Sequence, residues 1–353
     1  MTPRPLRVLM APDWRPNNPY LRLLSAALAA QGVEVAFPTG TKRALPLARL
    51  VAQQPCDWLH LHWPEAFWSR GSGLALRLRQ WRFPLDLALA NRRARIAYTA
   101  HNLTPHDAPA GRLVRRNLRL LLRRASVVFV HSAAAQRAVE TTHGPLGDRA
   151  AIEPHGDLLP VGTAPPSREA ARAALGLPPH ETAALMFGVV RPYKGILEVI
   201  RRWHALPAKW HLWIVGPAED STYAHEVAAI ARPLGAQVRL VFERTADETL
   251  LQWIAAADAT LFNYRHCLTS GACCLARSAG SKIVLPTRLD TIDLREPCST
   301  VFRFDAVERD LAAVLERAAA APPDPTATAI WRTETAWRTI AARMNEIYAN
   351  VAR

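Results

Sequence analysis

The stretch Phe187-Gly188-Val189-Val190-Arg191-Pro192-Tyr193-Lys194-Gly195-Ile196 decides the fold. An apolar run, Ala183–Phe187, leads into it, and a helical pattern, Ile196–Ala205, leads out. Strand, glycine-bearing loop and helix in that order make one parallel-sheet unit. Open sheets of this kind bind ligands at the carboxyl ends of their strands, where Arg191 and Lys194 fall. Two cations three residues apart can neutralise a diphosphate, arginine through its fork and lysine as a point charge. Gly195 lets the backbone come close to such a group. A solvated turn with two ordinary charges is the competing reading.

The same alternation extends both ways. Toward the carboxyl end, strands are predicted at His211–Val215, Val238–Phe242, Ala259–Phe262, Ile283–Leu285 and Val301–Phe304. Helices at Ser221–Leu234, Ala246–Ala256, Ala272–Ser278 and Ala306–Ala320 separate them. Toward the amino end, strands are predicted at Leu6–Ala11, Val33–Phe37, Trp58–His62, Ile96–Thr99, Val127–His131 and Ala151–Glu153. The helices there are Tyr20–Gln31, Gly73–Ala90, Ala110–Arg124 and Ala133–Thr141. The Pro-rich stretch Leu158–Ser167 reads as a linker, and Pro322-Pro323-Asp324-Pro325 precedes one last amphipathic segment, Ala329–Val351. The expectation is an α/β chain of two doubly wound parallel-sheet domains. The first spans residues 1–160, with a terminal helix at 330–353 returning to it, and the second spans 165–329.

After the strand ending near Phe262 comes Tyr264-Arg265-His266-Cys267-Leu268-Thr269-Ser270-Gly271-Ala272. Thr269-Ser270-Gly271 is a helix start whose free N–H groups can meet a phosphate oxygen, or a plain serine cap. In the first half, three strand ends carry polar clusters: Asp13-Trp14, His60-Leu61-His62-Trp63-Pro64-Glu65, and Thr99-Ala100-His101-Asn102 running on to Asp107. They share one rim, and their carboxylates are of the type needed to take a proton from an attacking hydroxyl. His155, in Glu153-Pro154-His155-Gly156-Asp157, either touches sugar or phosphate or belongs to a tight turn.

The 353 residues carry a net charge of +14. Residues 1–150 hold 22 Lys+Arg against 8 Asp+Glu, so the rest of the chain is neutral and the imbalance sits in the first half. A polyanionic partner, membrane surface or nucleic acid, fits such a field, as does an arginine-rich composition without function. Arg112, Arg115, Arg116, Arg119 and Arg123 lie on an amphipathic helix with Leu113, Leu120 and Leu121 on or near one side. Arg77, Arg79, Arg82, Arg92, Arg93 and Arg95 add a second basic run, with Trp68, Trp81 and Phe83 interspersed. There is no recognised nucleic-acid module, so nucleic acid is not the expected partner. No apolar run approaches the length of about 20 residues that a membrane span needs. The five cysteines have no CxxC spacing and read as reduced thiols, and no Cys/His pairing or Asp-x-Asp suggests a metal.

At the residues quoted, the chain resembles the GT-B glycosyltransferases of the family-4-like clan. The string Phe187–Gly195, the strand end Thr99–Asn102 and Pro154-His155-Gly156 carry the likeness. The combination of His60–Glu65, Thr269–Ala272 and the Trp-bearing terminal helix is similar to the xanthan-type exopolysaccharide β-mannosyltransferases. The resemblance implies two Rossmann-like domains facing a central cleft and no metal or other cofactor. It implies a nucleoside diphosphate sugar, GDP-mannose by the narrower likeness, held on the second domain. Arg191 and Lys194 would contact its diphosphate. The acceptor would be a polyprenyl-diphosphate-linked oligosaccharide at the anionic inner face of the cytoplasmic membrane, which makes the protein cytoplasmic and peripheral. The clan's paired glutamates are replaced by Leu268 and Ala276, which favours inversion with a first-domain carboxylate as base. Glu65 is the first choice, then Asp107 and Asp13, with His101 and His155 positioning sugar or phosphate. Lys194, Gly195, Arg191, Tyr264, Thr269, Ser270 and Gly271 form the expected donor site, and Glu243 and Arg244, after a second-half strand, are the candidates for reading the nucleobase. The alternatives are a retaining hexosyltransferase of the same fold acting in lipopolysaccharide or glycolipid synthesis, and a basic nucleic-acid-binding protein.

Overall fold

A computed structural model describes residues 4–16, 18–38, 44–69, 71–104, 111–159, 162–295 and 298–352. Asp107, one of the candidate bases, lies outside them. The described chain separates into two compact units, Met1–Gly156 with Thr335–Arg353, and Asp157–Glu334.

The first unit's strands are β1 (Arg7–Ala11), β2 (Glu34–Ala36), β3 (Trp58–His62), β4 (Arg95–Thr99), β5 (Val127–Val130) and β6 (Ala150–Ile152). They pair in parallel in the order β2-β1-β3-β4-β5-β6. Its helices are α1 (Pro19–Ala30), α2 (Pro46–Gln53), α3 (Gly73–Asn91), α4 (Arg112–Arg124) and α5 (Ala133–His143).

The second unit has β7 (Thr182–Phe187), β8 (Trp210–Val215), β9 (Val238–Val241), β10 (Ala259–Leu261), β11 (Ile283–Pro286) and β12 (Val301–Phe304). Their order is β12-β11-β10-β7-β8-β9, all parallel. Between and after them run α6 (Arg168–Ala174), α7 (Ile196–Trp203), α8 (Ser221–Ala231), α9 (Asp247–Ala256), α10 (Gly271–Ser278), α11 (Val307–Ala320) and α12 (Pro325–Glu334). Last comes α13 (Trp337–Ala352), which packs on α1 of the first unit.

Strand alternation explains the layers. On β7, Ala184 and Met186 join one apolar cluster with Val199, Ile200 and Trp203 of α7 and Leu311 of α11. Ala183, Leu185 and Phe187 join the other, with Ala171 of α6, Ile254 of α9 and Cys273 of α10. Both faces are therefore covered, as a parallel sheet requires. The first sheet sends Val8, Met10, Trp58, Ala97 and Phe129 to α1 and α13 on one face.

Two helices escape the sequence pattern. The first turn of α2 is capped from another element: the buried Asp86 carboxylate on α3 accepts from Leu47 N at 3.1 Å and Ala48 N at 2.9 Å. A cap some 39 positions away leaves no local signature. The short α6 falls in the stretch beside the expected linker, capped by Ser167 Oγ accepting from Ala170 N at 3.2 Å. The segment read as one helix from Ala329 is two, broken at Thr335-Ala336, with α12 packed on α10. The five cysteines are unpaired, and only Cys273 and Cys274 are fully buried.

Candidate active site

In the second sheet the strand order reverses between β7 and β10, which is where ligands sit in doubly wound folds. The loops after those two strands are Gly188–Gly195 and Phe262–Ser270, the two stretches singled out by the sequence. They interlock. Gly195 has φ 65°, and a Cβ there would lie 2.4 Å from the Asn263 carbonyl oxygen. Asn263 Nδ2 donates back to the Gly195 oxygen at 3.0 Å. Only glycine allows that approach.

Lys194 is 6 % exposed, with Nζ donating 2.8 Å to the Phe187 carbonyl and lying 5.7 Å from the Tyr264 ring centre. Its electrostatic neighbours are the Cys273 and Cys267 thiols and Arg191 rather than a carboxylate. Burial pushes its ammonium down to about 7. An anion placed beside it would restore the charge.

Ser270 caps α10, its hydroxyl accepting from Cys273 N at 3.2 Å, so that N–H is already taken. Gly271 begins the helix, and Thr269 precedes the cap, its carbonyl accepting from Cys267 Sγ at 2.7 Å. Tyr264 is buried, its hydroxyl pushed up by burial, and works as a wall. Arg191 forms an ion pair with Glu219 at 2.6 Å, a partner the sequence did not suggest. Sequence reasoning also missed Arg288, which donates to the Tyr264 carbonyl at 3.2 Å and to Asn263 Oδ1 at 3.1 Å. Its signal was its place just past β11. Glu243 and Arg244, the candidates for reading the nucleobase, are exposed and pair with none of these groups in any described contact.

In the first sheet the order reverses between β1 and β3. Trp63, just past β3, has φ 46°, an uncommon conformation for a bulky residue. Its indole stacks on His101 with centroids 3.9 Å apart and planes at 10°. The chain then turns through Pro64–Phe67. Glu65, His101, Asn102, Thr104 and Tyr98 line one narrow recess. Asp13 is bound to Arg15, at 2.8 and 3.0 Å, which holds its carboxyl below the ordinary range and weakens it as a base.

The histidines of this rim are interior groups. His62, His101, His131 and His155 surround Tyr20, whose ring lies 4.9 Å from both His101 and His155, and His60 packs against His62 at 4.1 Å. His131 Nδ1–H donates to the Glu153 carbonyl at 2.9 Å, leaving Nε2 to accept from His101 Nδ1 at 3.4 Å. His101 Nε2 then accepts from His62 Nδ1 at 3.1 Å. His62 Nε2 is left as a buried lone pair without a hydrogen-bond partner. His60 bonds to Thr99 Oγ1 at 2.8 Å and to the Tyr348 hydroxyl of α13 at 2.6 Å. Burial lowers all five, His60 and His155 to about 3 and His131 to about 4. His155 thus belongs to this packed cluster of the first unit. His101 alone of the five also lines the recess.

The basic helix differs from expectation in its buried side. α4 buries Val114, Asn117, Leu118, Leu121 and Leu122, while Leu113 and Leu120 are half-buried. Arg112, Arg115, Arg119 and Arg123 are exposed, and Arg116 is half-buried. Trp68 and Phe83 are core residues in edge contact at 4.3 Å, so of the three aromatics only Trp81 faces outward.

No family model matches the sequence, and neither does any curated protein. Solved structures do match. HepE of Anabaena, in complex with UDP and glucose, is 16 % identical with a TM-score of 0.71, covering 97 % of this chain and 99 % of that one. Sucrose-phosphate synthase of Thermosynechococcus elongatus is 16 % identical with a TM-score of 0.72, covering 99 % of both chains. WaaG, a glycosyltransferase of lipopolysaccharide biosynthesis, is 15 % identical with a TM-score of 0.59, covering 98 % of both. With its two six-stranded parallel sheets and flanking helices, the chain has the two-domain α/β GT-B fold of these structures.

Proposed function

We propose that the protein is a glycosyltransferase that moves a hexose from a nucleoside diphosphate sugar to a hydroxyl of a glycan acceptor. One observation carries this reading. At the second sheet's switch point a buried lysine without a carboxylate partner, a glycine-tight loop and the amide end of α10 occupy adjacent loops. A diphosphate supplies the negative charge that the lysine and the helix start lack, and the interlocked loop holds the two together. Lys194 answers the charge that develops as the sugar–phosphate bond breaks, and the diphosphate leaves with the bonding electron pair. The acceptor oxygen bonds to the anomeric carbon, and its proton passes to a carboxylate of the first unit. Glu65 is the preferred base because it lines a recess with His101 and Asn102, whereas Asp13 is held by Arg15. Arg191 joins the diphosphate only by loosening its pair with Glu219.

The finer reading is transfer of mannose from GDP-mannose with inversion to a polyprenyl-diphosphate-linked oligosaccharide on the inner membrane face, without a metal. It rests on the resemblance of the motifs and on the loss of both clan glutamates. A second reading, a UDP-sugar donor, is favoured by the structures of HepE solved with UDP and with UDP-glucose. Parallel titration with GDP and UDP, followed by transfer assays with both sugar-nucleotide series, decides between them. NMR of the product fixes its stereochemistry. If neither nucleotide binds, or if both bind unchanged to Lys194→Ala, the phosphate site is elsewhere.

A further inference from the structure

Among the described residues seven large apolar side chains are exposed, and four of them, Leu74, Leu78, Trp81 and Leu85, stand on α3 at 72 %, 58 %, 62 % and 57 %. Their spacing is i, i+4, i+7, i+11. At 3.6 residues per turn that places them within an arc of about 60°, one straight stripe over three turns. The opposite side of α3 buries Phe83, Asp86, Leu87 and Ala90, so the helix is apolar on both sides and packed on only one. Arg77 and Arg82 flank the stripe.

The neighbouring helix repeats the same spacing in charge. Arg112, Arg116, Arg119 and Arg123 of α4 also stand at i, i+4, i+7, i+11. α3 and α4 pack together, and the Arg116 guanidinium lies 5.0 Å from the Trp81 ring centre, joining the two rows. Arg116 is fixed there by the Gln80 carbonyl and Asn117 Oδ1, each at 3.2 Å.

We infer that the paired rows of α3 and α4 form a docking surface for an anionic lipid bilayer, with the α3 stripe entering the acyl boundary and the α4 arginines meeting lipid phosphates. Apolar side chains beside a row of guanidiniums match the layering of a headgroup region, where amphipathic helices lie in the plane of the surface. The charge chooses the occupant. A second copy would bring arginine rows against each other, and a nucleic acid would use the arginines but leave the leucines exposed. No described helix is long and apolar enough to cross a membrane, so the contact is peripheral. The inference deepens the proposed function, since a lipid-borne acceptor must be met at a membrane, but its test needs no sugar transfer.

The experiment is co-sedimentation of the full chain with vesicles of phosphatidylcholine alone or with one quarter phosphatidylglycerol, at low and moderate salt. The expected result is partition onto the anionic vesicles at least tenfold stronger than onto neutral ones, weakening with salt. Leu74→Ser, Leu78→Ser and Leu85→Ser combined should cut it tenfold or more while circular dichroism and nucleotide affinity stay unchanged. Arg112→Gln, Arg119→Gln and Arg123→Gln combined should lower it and flatten its salt dependence, at roughly fivefold per charge. Equal binding of wild type and the leucine variant overturns the proposal, as does indifference to phosphatidylglycerol. So does a stable dimer in sedimentation velocity that Leu78→Ser dissociates. Loss of nucleotide binding with vesicle binding intact would instead strike the donor site alone.

Discussion

Lys194 keeps its ammonium in the interior with the Phe187 carbonyl as acceptor, and at the proposed donor site this would make nucleotide affinity a function of pH. The free site titrates near 7, and a bound diphosphate raises that value by opposing the charge loss. Binding above pH 7 therefore takes up a proton, and affinity should fall by up to tenfold per pH unit until the bound group also titrates. Calorimetry in two buffers of different ionisation enthalpy at pH 8 measures the uptake. A flat profile in the wild type would remove Lys194 from the phosphate site. Lys194→Ala should cost about 1.5–3 kcal/mol of nucleotide affinity, the worth of a charge-assisted hydrogen bond, and abolish the uptake. Glu65→Gln should instead lower kcat by about two to four orders of magnitude with little change in donor affinity, read by steady-state kinetics. If kcat holds, the proton goes to another carboxylate.

The turn Glu153–Gly156 shows how one element locks another. Gly156 has φ 93°, and a Cβ there would come within 2.4 Å of the Trp337 ring at the start of α13. Glu153 holds the same helix through Arg343 at 2.7 and 3.0 Å. Gly156→Ala should destabilise the first unit by about 2–4 kcal/mol, from the left-handed backbone and the overlap together, measured by denaturant unfolding. Elements were the most legible feature of the sequence. All twelve strands appear within a residue or so of their expected places, because buried parallel strands are short apolar runs between turns. What escaped were contacts distant in sequence. The cap of α2 lies on Asp86, and the partner of His60 is Tyr348, 288 positions away. The two interlocked loops at the second sheet's switch point were legible because each is local, a strand end and the residues that follow it. Trp58, His60 and His62 share one face of β3, an alternation that marks a buried strand as readily as a polar rim.

At the size of the whole chain, charge and burial both count against the fold as pH falls. The first unit carries the basic excess and also the five neutral histidines. Their ordinary value is 6.5, and in the fold they are held far lower by burial. Above pH 6.5 neither state is protonated and nothing is lost. Below it the unfolded chain binds protons that the folded one refuses, so stability falls as pH drops from 6.5 toward 4. At pH 5 each such histidine costs about 2 kcal/mol. Calorimetric scans at pH 7.5 and 5.0 should show the first unit's transition moving down much further than the second's, and equal movement would mean that the cluster is hydrated.

The last helix has a further consequence. Because α13 closes over Tyr20 and His60 from beyond the second unit, the first unit begins before the second in the chain and is completed only after it. During synthesis its aromatic and imidazole surface must wait, uncovered, while the entire intervening unit leaves the ribosome.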